Sequence, residues 1–192
     1  MKLVCTLLFV SAFSLSAATV LNPGFEDPNI SPNYYTAVNA GSGTLTGWNV
    51  TGTSIDIVNG AIWAHSGSQG IDLAGTPGPG GVNQDITTVA GQSYLISFWV
   101  SSNGGAISNS LTVNFDGTAH TYSSPAQTEW TQYSFTAVAG SNLANLSFST
   151  PLAGNAGPLL DDVSVSSAVP EPGTISLVAA GMLFALARLR RR

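Results

Sequence analysis

The chain has 192 residues and a formal net charge of -5, with only five basic residues against ten acidic ones. Lys2 stands near one end and Arg188, Arg190, Arg191 and Arg192 at the other, so nothing between positions 3 and 187 is Lys or Arg. This excludes nucleic acid as a partner, because phosphate neutralisation needs basic side chains. It also argues against phosphorylated cofactors, for which no glycine-rich loop with a following lysine is present.

Residues 1-18 read as an export signal peptide: one positive charge at Lys2, an apolar stretch over 3–13, then the small residues Ser16, Ala17 and Ala18, after which cleavage is expected. The single cysteine, Cys5, lies inside this segment. The mature chain therefore folds without disulfides and has no thiol chemistry.

Residues 19-169 are long enough for one domain with its own core. Runs rich in Val, Ile, Thr, Tyr and Phe alternate with Gly, Asn, Pro and Ser, and no segment keeps helical periodicity. Strands are predicted over 20–25, 54–58, 70–73, 82–87, 93–101, 110–115, 119–122, 131–138, 144–149 and 159–166. This number of short strands implies an all-β, two-sheet β-sandwich. Period two places Tyr94, Ile96, Phe98 and Val100 on one face, as it does Leu111, Val113 and Phe115, and Tyr133 and Phe135. These side chains are expected to build the core, with Trp48 and Trp130 in structural positions.

All acidic residues but Glu171 lie in this basic-free domain. In the stretch LLDDVSV, residues 159–165, alternation puts Asp161 on the face of Leu159, Val163 and Val165, pointing inward. A buried carboxylate needs compensation from backbone amides, a proton or a cation, and for oxygen ligands in an extracellular protein that cation is calcium. If the first and last strands lie side by side, Glu26 joins Asp161 at one sheet edge as a structural calcium site. Catalysis has little support: His65 and His120 are far apart, no HExxH or G-x-S-x-G motif occurs, and no carboxylate pair is marked by spacing.

Residues 170-192 form a different kind of segment. Val169, Pro170, Glu171 and Pro172 cannot be helical, 174–187 is an uncharged apolar run, and four arginines follow. As a helix the run is about 21 Å long against a hydrocarbon core of about 30 Å, a short transmembrane helix whose arginines orient it by the positive-inside rule. The order of the three elements resembles the PEP-CTERM sorting signal of exopolysaccharide-producing Gram-negative bacteria. The resemblance implies recognition by a membrane-embedded exosortase, and transient membrane anchoring before transfer to the cell envelope, outer surface or extracellular matrix. An ordinary tail anchor is the competing reading.

The domain itself, from VLNPGFEDP through Gly47 and Trp48, IWAHSGSQGIDLAG, GVNQDITTVAGQSYLISFWVS and EWTQYSFTAVAG to LLDDVSV, resembles the choice-of-anchor C family. That family is similar to galactose-binding-like jelly rolls and carbohydrate-binding modules. The resemblance implies structural calcium at Glu26 and Asp161. It also implies sugar stacking on exposed aromatic rings, for which Trp63, Trp99, Tyr34 and Tyr35 are the candidates, Trp63 first. The expected function is a non-catalytic polysaccharide-binding module of an exported surface or biofilm-matrix protein. A structural protein that binds itself or another protein, and a glycan hydrolase, are the rivals.

Overall fold

The computed structural model describes residues 18–104, 110–127 and 129–168, together with Arg188. The signal peptide, the PEP motif, the helix expected over 174–187 and the last three arginines lie outside the described residues, apart from Ala18. No helix among the described residues is long and apolar enough to cross a membrane.

Among the described residues eleven strands run in chain order: β1 (Tyr35–Asn39), β2 (Asn49–Gly52), β3 (Ser54–Asn59), β4 (Gln69–Asp72), β5 (Gly80–Thr87), β6 (Ser93–Ser102), β7 (Ser110–Phe115), β8 (Thr118–Ser123), β9 (Thr131–Val138), β10 (Leu143–Ser149) and β11 (Pro158–Ser167). They pair antiparallel into a six-stranded sheet, order β1-β3-β4-β11-β6-β9, and a five-stranded sheet, order β2-β5-β10-β7-β8. The all-β sandwich expected from the alternation is thus present. Its core holds the faces predicted: Tyr94, Ile96, Phe98, Val100, Leu111, Val113, Phe115 and Phe135 are buried, with Tyr133 packed against them. Burying each such large side chain contributes about 1.5–3 kcal/mol, enough for a core without cross-links.

Two expectations need correction. Residues 20–25 form turns rather than a strand, with Asn22 at φ 48° and Phe25 at φ 55°; Phe25 nevertheless drops fully buried against Trp48, ring centroids 5.4 Å apart. A left-handed backbone breaks the pleat that strand pairing needs. The short strands β1 and β2 went unpredicted because each buries a single side chain, Val38 and Val50, which leaves no readable alternation.

The second correction concerns Asp161. Leu160 pairs with Val100 and Asp161 with Trp99, but Ser164 pairs with Ser97, so β11 carries a bulge at Asp162, whose φ is 47°. The bulge resets the alternation. Leu160, Val163 and Val165 enter the core, whereas Asp161 shares the outer face with Leu159 and Trp99. Asp161 is still fully buried, because other chain segments cover that face.

Candidate functional site

The outer face of the six-stranded sheet carries the site. Across β3, β4 and β11 the register sets Asp56 opposite Asp72 and Asp72 opposite Leu159, while Ile57, Ile71 and Leu160 face the core one residue along. Tyr35 of β1 stands opposite Val58 on the same outer face. A groove of about 320 Å³ opens there, lined by Tyr34, Tyr35, Asp56, Val58, Trp63, Thr76, Asn103 and Asn155. Three of the four aromatic residues expected to touch a ligand are therefore brought together. Tyr34 is 82% exposed and Tyr35 55%, which leaves ring faces free, while Trp63 is half-buried.

The polar groups of the groove are held in place from below. Asp56 accepts hydrogen bonds from the Thr76 amide (3.0 Å) and hydroxyl (2.8 Å). Asp72, fully buried, accepts from the Asn103 side-chain amide (2.6 Å), the Ala74 amide (2.8 Å) and the Gly157 amide (3.3 Å), and so orients Asn103. Burial pushes Asp72 up to about 6, against the pull of these donors and with a further push from Asp56. Sequence reasoning missed Asp56, Thr76, Asn103 and Asn155. The one legible signal was Asp56 alternating with Ile55 and Ile57 in SIDIVN, a polar residue on the face opposite two core residues.

Trp63 belongs to the loop between β3 and β4, and this loop folds back over the outer face of β11. The Gly60 amide donates to the Ser68 carbonyl (3.0 Å) and the Trp63 amide to the Gly60 carbonyl (2.8 Å). A Cβ at position 70 would stand 2.7 Å from the Trp63 carbonyl oxygen, so Gly70 lets the loop sit tight on β4.

Trp99 does not reach the groove. It is on the outer face as its alternation predicted, but His65 covers it, stacked with ring centroids 3.7 Å apart and planes 14° off parallel. Trp130 meets the same His65 edge-on at 5.8 Å. Trp48 is buried and its indole N–H donates to the Asn22 carbonyl at 3.1 Å, the structural position expected.

Glu26 and Asp161 are linked through this loop rather than at a sheet edge, each bonded to a different part of it. β11 lies between β4 and β6, and the Val163 amide donates to the Pro23 carbonyl (3.0 Å), joining the opening segment to the last strand. Asp161 accepts from the amides of His65 (2.8 Å), Ser66 (3.1 Å) and Asp162 (2.7 Å). Burial, with Asp162 adding to it, pushes Asp161 up to about 7 against the pull of those amides. Glu26 accepts from the Ser68 amide and hydroxyl (2.7 Å each) and the Gln69 amide (2.9 Å). The protein groups bonded to the two carboxylates are donors whose hydrogens point at the oxygens, and among the described residues no group of three or more His, Cys, Asp or Glu side chains could hold a metal.

The fold is an all-β, two-sheet sandwich similar to that of solved carbohydrate-binding modules. Among solved structures, the CBM22-1 xylan-binding domain of Paenibacillus barcinonensis Xyn10C is similar at TM-score 0.53 and 15% identity, over 83% of this chain and 99% of that one. TmCBM61, solved in complex with beta-1,4-galactotriose, gives 0.51 and 15% over 79% and 99%. The chain belongs to the DUF642 family, described as a protein of unknown function, whose model matches residues 18–166. A PEP-CTERM protein-sorting motif matches residues 168–192, which marks the chain for export and exosortase processing. Halomucin of Haloquadratum walsbyi is 32% identical over 156 residues, 76% of this chain; the chain spans only 2% of halomucin's length.

Proposed function

We propose that this is a surface or matrix protein of a Gram-negative envelope whose sandwich binds polysaccharide, without catalysis, in the groove of Tyr34, Tyr35 and Trp63. The observation that carries the reading is the groove itself. Aromatic faces suited to the apolar face of a pyranose stand beside a carboxylate, a hydroxyl and two side-chain amides suited to its hydroxyls. The reading fits the fold of the similar carbohydrate-binding modules and the sorting motif behind the domain.

Asp56 in the groove and Asp72 beneath it both hold structure, though each Asp56 oxygen keeps a lone pair for a sugar hydroxyl. Asp56 is the one carboxylate lining the groove and Asp72 has no exposed surface, so the groove offers no pair of accessible carboxyl groups to flank a glycosidic bond. With Asp56 in the floor and no Lys or Arg between positions 3 and 187, the groove favours neutral glycans over uronate or sulfated ones. The sorting segment, residues 168–192, holds the chain at the inner membrane until an exosortase-type enzyme acts on it.

Retention on a panel of neutral and anionic polysaccharides tests the reading, run with calcium and with chelator. Selective retention on neutral glycans is expected, weakened about tenfold or more by Trp63→Ala or Tyr35→Ala and unchanged by Asn83→Ala on the five-stranded sheet. Absence of retention on every glycan would sink the proposal and leave the structural, protein-binding reading.

A further inference from the structure

We infer that Glu26, Asp161 and Asp162 form an anionic clamp that positions the Trp63 loop for the groove, each carboxylate being held by donors of the segment that follows Trp63. The inference deepens the proposed glycan reading and rests on it only for its effect on affinity.

The three carboxylates come from the two ends of the domain and close on one short loop. Besides the four loop donors and the Gln69 amide already described, Asp162 accepts from Ser66 Oγ (2.8 Å) and contacts His65 Nδ1 (2.6 Å). Residues 65, 66, 68 and 69 are thus all tied to chain-end carboxylates, starting two positions after Trp63. The loop has no apolar anchor of comparable extent: Ala64 is its one buried apolar side chain, and Ser66, Gly67 and Ser68 are exposed. The carboxylates therefore supply what packing does not.

Two further observations point to the same device. Gly67 has φ 63°, and a Cβ there would overlap Glu26 Oε1, so the loop conformation and the seat of Glu26 require each other. The bulge at Asp162 turns both carboxyl groups of β11 to one spot, where a Cβ at Gly24 would stand 3.5 Å from an oxygen of each. Negative charge gathered this closely, with no Lys or Arg in the domain, is compensated by oriented N–H and O–H dipoles, and charge-assisted bonds of this kind are the stronger class. The stack of His65 on Trp99 fixes the far side of the loop.

The test uses the full-length chain at pH 8, with hydrogen exchange of the peptide covering residues 60–69 as the local readout. Glu26→Ala and Asp162→Asn are expected to speed exchange there about tenfold while peptides of β5 and β10 stay unchanged, and to weaken glycan retention about tenfold. Glu26→Gln, which keeps an acceptor oxygen for the Ser68 and Gln69 amides, is expected to restore most of the protection. Calcium or chelator is expected to leave wild-type exchange unaltered. Protection that rises with calcium and is lost in Glu26→Gln would overturn the clamp in favour of a metal site, and exchange unchanged in all three variants would overturn it outright. Exchange that responds as expected in a chain that binds no glycan would keep the clamp and refute the glycan reading.

Discussion

The two sheets present opposite solutions on their outer faces. The five-stranded sheet sets Asn49, Asn83, Ser147, Asn114 and Ala119 in one row across β2, β5, β10, β7 and β8, with Asp85 held by the Asn145 amide at 2.8 Å in the neighbouring row. These residues are exposed or half-buried and reachable by water, so each matters little alone. The six-stranded sheet puts Asp56, Asp72 and Asp161 on its outer face and then covers them. There the polar groups are bonded to protein, and each is a point at which the structure can fail. The same period-two alternation produces a solvated surface in one case and a built site in the other; the covering segments make the difference.

The contrast is broken most severely by Asp161→Ala. It leaves the amides of His65, Ser66 and Asp162 without their acceptor in a buried place, and a loss of about 3 kcal/mol is expected in chemical denaturation at pH 5. The pH dependence follows in size. Asp72 at about 6 and Asp161 at about 7 bind protons in the folded state that the unfolded chain releases near pH 4. Their contribution is therefore fully present below about pH 4 and lost as pH rises through 6 to 7. Thermal melts between pH 4 and 8 are expected to show a falling midpoint, and Asp72→Asn is expected to flatten the lower part of that slope. Gly67→Ala ranks next, at about 1–2 kcal/mol for a left-handed position plus the conflict with Glu26, read as a lowered melting temperature. Asn83→Ala on the opposite sheet is the smallest, within about 0.5 kcal/mol by the same melt. A large effect there would erase the distinction between the two faces.

Most of the sandwich was legible because strand alternation is a local property. The six residues of β7 and the eight of β9 match their predicted spans, and the inward faces of β6 and β7 are those expected. Where a strand buries one residue, as in β1 and β2, the signal vanishes. The candidate site was legible in its aromatic members, since unpaired Trp and Tyr near turns stand out in any sequence. Its polar members were not, because Asp56, Thr76, Asn103 and Asn155 resemble ordinary turn and edge residues until the sheet brings them together.

By itself the sequence determined the class of the domain, the faces that make its core, the need of buried carboxylates for compensation in a domain without Lys or Arg, and the sorting segment at its end. The first three follow from composition and short-range periodicity, and the sorting segment from its resemblance to a known motif. The tertiary structure alone decided which way Asp161 points, because one bulge reverses a strand's alternation. It also decided that Trp99 lies under His65 while Tyr34, Tyr35 and Trp63 share a groove. Pairings between residues dozens of positions apart depend on how strands order within a sheet, and no local pattern encodes that order.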